Sequence, residues 1–295
     1  MFEQISIIIP SFNGLAALQK TVFALLEQAP NAEIIVVDGG STDGSREWIF
    51  QQSTILLLEV KNFGYAHALN RGCEIAKNQI LILMNSDVLI RQNALQMMQT
   101  RLLEQHDVGA VGVVPLQLNG KRQRSFGAVA WYYPNYFKLT KPMRVGVLHG
   151  YCIATRRDVL RSVGGFDENF FFYNEEFDWC WRVRKSGLYL EILPETATHF
   201  GGSSTVQSPD IMFEGHRGGM YLVNKHFSGM YSALVRRIFQ AIAWSLSRLE
   251  KRLEYQRAWQ KLEDCFRRGA YLESPFSLSG RGEVHFEAQT DQKNC

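Results

Sequence analysis

From Ile5 to Asp87 the sequence repeats one pattern four times: a short apolar run, a loop rich in Gly, Ser, Asn or Asp, and a stretch with helical spacing of apolar residues. The runs are Ile5–Ile9, stopped by Pro10, then Glu33–Val37, Ile55–Val60 and Ile80–Met84. Helices are read over Leu15–Gln28, Ser45–Ile49, Tyr65–Ala76 and Gln92–Gln105. Strands that recur at roughly 25-residue spacing with a helix between them must run parallel, because a crossover of that length returns each strand in the same direction. The fold class is therefore α/β, with a Rossmann-like, mostly parallel sheet flanked by helices. In such sheets ligands bind beyond the carboxyl ends of the strands. Asp38, Asn62, Asn85 and Asp87 all follow strands directly and gather at that edge. A strand-end Asp is commonly a cap or turn residue. It can also hold a divalent cation, which in turn holds a diphosphate that no bare carboxylate can approach.

Two phosphate-binding patterns are absent. The first loop, Pro10-Ser11-Phe12-Asn13-Gly14, contains no Gly-x-Gly-x-x-Gly, and no Gly-Lys-Ser/Thr occurs. A net charge of +3, from 32 basic and 29 acidic residues, gives no field that argues for a nucleic-acid partner. Five scattered cysteines without a Cys-x-x-Cys pair fit neither a disulfide framework nor a zinc site, which points to a reducing compartment. Met1–Gln4 lacks the form of a signal peptide, and no run of eighteen apolar residues suggests a membrane span. A cytoplasmic location is expected.

Beyond a helix ending near Gln105 and an apolar run over Val108–Val114, the alternation stops. Residues 117 to 146 mix basic and aromatic side chains without a clear period, suited either to a groove for a sugar or anionic carrier, or to a small satellite core. A strand over Gly146–Ala154 and a helix over Arg157–Val163 follow. Then comes Gly164-Gly165-Phe166-Asp167-Glu168-Asn169, the aromatic run Phe170–Tyr173, and Asn174-Glu175-Glu176. With Asn174 as an N-cap, Glu175 and Glu176 fall in a helix's first turn, where acids complement the dipole. Beside an aromatic wall a carboxylate can instead serve as a general base. Asp178 is read as structural, paired with Arg182 one turn on.

Taken together, Ser6–Asn13, Val37–Ser45, Asn62–Ala66 with Asn70–Gly72, Asn85-Ser86-Asp87, Gly164–Arg182 and His199–Ser204 resemble the family-2 glycosyltransferases of the GT-A fold, and among them the rhamnosyltransferase-like branch. The resemblance implies an inverting, metal-dependent hexosyltransferase that takes a sugar from a nucleotide-diphosphate sugar, using Mg²⁺ or Mn²⁺, and acts in cell-surface polysaccharide synthesis. Carried over by position, Asp38 bonds the nucleotide base, and Pro10, Ser11, Asn62 and Gly64 help form its pocket. Asn85 replaces the first Asp of the family's acidic metal-binding motif, Asp87 is the metal-binding Asp, and His199 is a second metal ligand. Glu175-Glu176 stands where the family has Glu-Asp, with Glu176 in the place of the base. The branch resemblance favours dTDP-rhamnose as donor and a glycan or lipid-linked acceptor. The organisation expected is a GT-A domain over 1–229, a basic amphipathic helical extension over 230–275, and a disordered tail over 276–295. The extension has nine Lys or Arg between 230 and 271, suited to an anionic membrane surface or to packing on the domain or in a homodimer. The rival readings are a nucleotidyltransferase, which would need a Gly-rich basic loop after the first strand, and a catalytically silent carbohydrate-binding or scaffold protein.

Overall fold

The first strand, β1 (Ile5–Ser11), is buried at all seven positions. Its odd-numbered isoleucines join one core and Ile8 the other, so the continuous apolar run reflects a sheet covered on both faces. The structure is a computed structural model that describes residues 5–122, 139–200 and 208–276. After β1 come α1 (Leu15–Gln28), β2 (Glu33–Asp38), α2 (Ser45–Phe50), β3 (Ile55–Glu59), α3 (Tyr65–Ile75) and β4 (Ile80–Met84). Helix α1 buries Ala17, Leu18, Thr21, Val22 and Leu25, a stripe at the spacing that marks an amphipathic helix. β3, β2, β1 and β4 lie side by side and parallel, in register from Ile8↔Leu83 to Ser11↔Asp38 to Asp38↔Glu59. Asp38, Asn62, Asn85 and Asp87 therefore share the C-terminal edge.

The second half departs from simple alternation. β5 (Val88–Ile90), α4 (Gln92–Glu104), β6 (Val108–Leu116), β7 (Met143–Val145), β8 (Cys152–Arg156), α5 (Arg157–Val163), α6 (Glu175–Lys185) and β9 (Tyr189–His199) complete the sheet in the order β3-β2-β1-β4-β8-β6-β9-β5, with β7 also on β9. β8 is antiparallel to both β4 and β6. Because Met84 pairs with Cys152, the chain just before β8 lies beside the carboxyl end of β4, and the Asn85 N–H donates to the Tyr151 carbonyl (3.0 Å). The strand expected over Gly146–Ala154 is thus two short ones serving different neighbours, with the Gly-containing segment 146–151 as a loop between them. Most of the basic-aromatic stretch, residues 123–138, lies outside the described residues, as do 201–207 and the tail from 277 on.

The continuous helix expected from Met230 to Tyr271 is a hairpin of α8 (Gly229–Leu249) and α9 (Leu253–Arg268), preceded by α7 (Pro209–His226). The break falls where the Glu250 carboxylate accepts from the Arg252 backbone N–H and guanidinium, closing a tight turn. Phe213, Met220, Ala243, Trp259, Leu262 and Phe266 give these three helices a core of their own. Among the described residues no helix is long and apolar enough to cross a membrane.

Helix α3 lies so close to the sheet that a Cβ on Gly72 would stand 2.4 Å from Ile8 Cγ2 and 2.9 Å from Val37 Cγ2. Gly72→Ala is expected to lower unfolding free energy by about 1–3 kcal/mol in urea titration. Gly229→Ala, with open space around the new methyl, should leave it nearly unchanged.

Candidate active site

Antiparallel pairing of β5 with β9 sets Val88 opposite His199, and one residue further on the Phe200 N–H donates to the Asp87 carbonyl (3.1 Å). This register brings His199 Nε2 to 3.2 Å from Oδ1 of Asp87, whose side chain is almost fully buried. Adjacent ligands on an octahedral ion with ~2.1 Å bonds stand about 3 Å apart, so the pair fits neighbouring positions on one cation. Among the described residues no cluster of three His, Cys, Asp or Glu side chains surrounds such a site, so water and diphosphate oxygens would fill the remaining positions. Tyr151 stacks on His199 with ring centroids 5.6 Å apart, and His149 follows at 6.2 Å from Tyr151. Burial, reinforced by the neighbouring His199, pushes the His149 imidazole down to about 4, which keeps it neutral near pH 7.

Asn85 Oδ1 accepts from the Tyr65 hydroxyl (2.6 Å), which also reaches the Gly150 carbonyl at 3.3 Å. Burial and then the charges of Glu175, Glu176 and Asp87 hold the Tyr65 phenol well above its ordinary value, so it remains a donor. Asp38 has no exposed surface; it accepts from the Gly40 N–H, the Ser41 N–H and the Ser41 hydroxyl at 2.6–2.9 Å. Three acceptor positions of its carboxylate are thus taken up within the β2–α2 turn, which leaves room for one further donor such as the nucleotide base that the resemblance implies. What faces the turn is Gly39, where a Cβ would meet Phe12 at 3.5 Å and Asn62 at 3.6 Å, both residues being exposed. Pro10 and Ser11 are buried in β1, and the Ser11 hydroxyl has no hydrogen-bond partner. The space beside Gly64 is taken by a neighbouring loop. At φ +102° it lets the Phe171 backbone approach so closely that a Cβ would stand 2.3 Å from the Phe171 carbonyl oxygen, which accepts from the Tyr65 N–H (2.8 Å).

On the other side of that contact, Tyr173 and Asn174 both adopt left-handed backbone conformations before α6 begins. Asn tolerates this conformation and Tyr does not, so the turn is strained and must be held from outside. Asn174 occupies the N-cap position, yet its side chain caps nothing; the amide donates to the Gly215 carbonyl on α7 (3.1 Å). α7 comes close because it presents Gly215 and Gly218 there, a Cβ on Gly218 standing 3.0 Å from the Asn174 amide nitrogen. Also on α7, the fully buried pair Glu214 and Arg217 grips the same loop: Glu214 accepts from the Phe171 N–H (2.9 Å) and Arg217 donates to the Asn169 carbonyl (2.8 Å). Asp178 is structural as read, bonded to Arg182 (2.8 Å) and also within 2.7 Å of Lys225 and His226.

Glu175 and Glu176 emerge from this frame. One carboxylate oxygen of each is buried without a hydrogen-bond partner. Burial, then the charge of Glu176, drives Glu175 well above the usual carboxylate range. Burial pushes half-buried Glu176 up to about 7 against the opposing backbone N–H groups of Glu176 and Asn174. Glu176 packs on Gly150, whose Cβ position lies 3.5 Å from its carboxyl carbon, and so lies next to the group that Tyr65 bonds. The sequence reading assigned Tyr65, His149, Tyr151, Glu214 and Arg217 no part. Tyr65 stood within a quoted motif; the others come together only through the antiparallel β8 and the packing of α7.

Tyr65 and Gly150 thus link the strand edge to the carboxylates, and the sequence family described as Glycosyl transferase family 2 matches residues 6–164. The chain belongs to that family. A glycosyltransferase of Streptococcus pneumoniae serotype 4 is 33% identical over 110 residues, 35% of this chain and 36% of its own length, so this chain spans little more than a third of that relative. The N-acetylglucosaminyl-diphospho-decaprenol L-rhamnosyltransferase of Mycobacterium tuberculosis is 26% identical over 240 residues, covering 69% of this chain and 78% of its own. Among solved structures, a mannosyltransferase from Pyrobaculum calidifontis in complex with GDP-Man and Mn²⁺ superposes with a TM-score of 0.56 over 91% of this chain and 84% of its own. At 17% identity that likeness shows the GT-A-like fold alone.

The raised Glu176 value makes a stability prediction with a definite sign. The folded protein keeps this proton up to about pH 7, whereas an unfolded carboxyl releases it near 4.5, so stability falls as pH rises through that window. Glu176→Gln removes this cost. Its unfolding free energy, from urea titration, should match the parent's below pH 4.5 and exceed it above pH 7 by up to about 3 kcal/mol.

Proposed function

We propose that this chain transfers a hexose, with inversion, from a nucleotide-diphosphate sugar to a hydroxyl of a glycan or lipid-linked acceptor. The observation that carries the proposal is the pair Glu175 and Glu176, each with an unpartnered buried oxygen, set against the edge that holds Asp87 and His199. Such oxygens are costly to bury unless a substrate satisfies them. Glu176, the more accessible of the two, takes the proton from the acceptor hydroxyl as it attacks the anomeric carbon. Glu175 stays protonated beside it, so the site carries one charge rather than two repelling ones. Asp87 and His199 would hold a divalent cation; when bound, it supplies Lewis-acid stabilisation of the departing diphosphate. The carboxylate and imidazole donors suit Mn²⁺ as well as Mg²⁺, and the bound Mn²⁺ of the archaeal mannosyltransferase structure supports this choice. The nucleoside rests on Gly39 between Phe12 and Asn62, in a turn that Asp38 keeps in shape. Tyr65 fixes Asn85 at the junction of donor and acceptor halves. The name of the mycobacterial relative, an L-rhamnosyltransferase, supports rhamnose as the transferred sugar, and the branch resemblance favours dTDP as its carrier.

Transfer measured with a panel of nucleotide sugars tests the donor; turnover confined to a sugar other than rhamnose overrules that choice. Glu176→Gln keeps the shape of the side chain and removes its basicity. It should cut turnover by about 10²-fold or more with donor affinity nearly unchanged. Active Glu176→Gln beside dead Glu175→Gln would move the base to Glu175. Asp87→Ala should abolish metal-dependent binding of the donor in calorimetry, and binding that survives with its metal dependence intact removes Asp87 from the metal site.

A further inference from the structure

Helix α8 is apolar on two faces. Val235, Phe239, Ala243 and Leu246 turn inward to the core shared with α7 and α9. Met230, Leu234, Ile238, Ile242 and Leu249 turn outward and remain 86%, 57%, 49%, 46% and 74% exposed. The outward residues recur at helical spacing and form one stripe along the 21-residue helix. Isolated exposed apolar residues need no explanation, but a continuous stripe of large ones marks an interaction surface. The charges on α8 are all of one sign: it carries Arg236, Arg237 and Arg248 and no acidic residue. Arg236 lies inward beside Gly269, while Arg237 and Arg248 are exposed along one margin of the stripe. Arg248 covers the ring of Trp244, itself half exposed, at 3.8 Å. Lys251 and Leu253 continue both features past the end of the helix.

We infer that the outer face of α8 docks on the surface of an anionic lipid bilayer. An apolar stripe with arginine and tryptophan along its margin is the pattern of a helix lying in the membrane interface: the apolar side enters the acyl boundary, the guanidinium groups meet lipid phosphates, and the indole sits at headgroup level. A second copy of the chain fits less well. A two-fold contact sets the same patch against itself, and two α8 helices meeting along this stripe would oppose arginines with no carboxylate on either helix to pair them. Docking also has a consequence for the site. α7, packed directly against α8 and α9, holds the loop leading to Glu175 and Glu176 through Gly215, Glu214 and Arg217, so the bilayer would fix the height of these carboxylates above the lipid surface. This deepens the transferase reading by favouring a lipid-linked acceptor, but the docking itself is tested without any activity.

Flotation of the full chain with vesicles of phosphatidylcholine alone, or mixed with phosphatidylglycerol, decides it. Binding is expected only with the anionic lipid, should weaken as salt rises, and should fall at least about tenfold in the double variant Ile238→Glu, Ile242→Glu. If that variant loses its fold by circular dichroism, brominated phosphatidylglycerol gives the second readout. It should quench a part of the tryptophan fluorescence in the parent that is missing in Trp244→Phe. Equal binding to neutral and anionic vesicles, no binding to either, or quenching unchanged by Trp244→Phe overturns the proposal. So does a stable dimer in light scattering that Ile238→Glu dissociates. Donor hydrolysis in detergent-free buffer reports on the transferase reading separately.

Discussion

The backbone of Phe171 is held from both sides, and much of the site depends on it. Its carbonyl accepts from Tyr65 at the start of α3, and its N–H donates to Glu214 in the middle of α7. One peptide segment thereby ties the parallel half of the sheet to the C-terminal three-helix unit. Neither bond reaches a substrate. Each is made in a partly buried setting, where an unmade bond costs on the order of 1 kcal/mol, so the two together keep the loop from relaxing away from the sheet. The strained pair Tyr173 and Asn174 follows within three residues, and only such clamping lets a tyrosine remain in a left-handed conformation there.

The same logic explains why two carboxylates can sit side by side at the first turn of α6. The helix N-terminus offers them favourable dipoles, while burial and mutual repulsion oppose ionisation of both. Glu175 is the more enclosed of the two and also feels the charge of Glu176, while Glu176 packs on Gly150 and is only partly covered. Similar side chains acquire different protonation because the loop and α7 enclose them unequally. Asp178, which might have been a third acid, is removed from the chemistry by three cationic or imidazole partners.

The parallel half was legible because its rules are local. The apolar runs, the glycine-rich loops and α1 and α5 fell where the residues imply, and the strand-end positions of Asp38, Asn62 and Asp87 follow from the alternation alone. Side-chain roles were less so. The Asp38 carboxylate turns to groups only two and three residues on, a local alternative to any outside partner, whereas Gly64 serves the approach of Phe171, a contact between segments far apart in sequence. Asp87 and His199 were brought together only by the family resemblance, because the pairing itself rests on β9 running antiparallel to a three-residue strand with too little pattern to be recognised. The apolar series in α8 was visible, but a sequence cannot say which of two apolar faces is turned inward when both satisfy the helical period.

Where α7 meets the Asn174 turn it does so through glycine, so the helix backbone is met directly by the side chain of the residue at the N-cap position of α6. The helix side of this contact has no rotamers with which to absorb displacement, and on the other side the Asn174 amide is fixed by its bond to the Gly215 carbonyl. Any shift of α7 along or about its axis must pass undamped into the turn and so into the placement of the two carboxylates. Glycine is usually valued for letting a chain bend; here its absence of a side chain makes the joint stiff. Evolutionary or engineered change in the three-helix unit can therefore shift Glu175 and Glu176 from a distance, while Asp38 and Asn85, anchored beside the parallel strands, stay as they were.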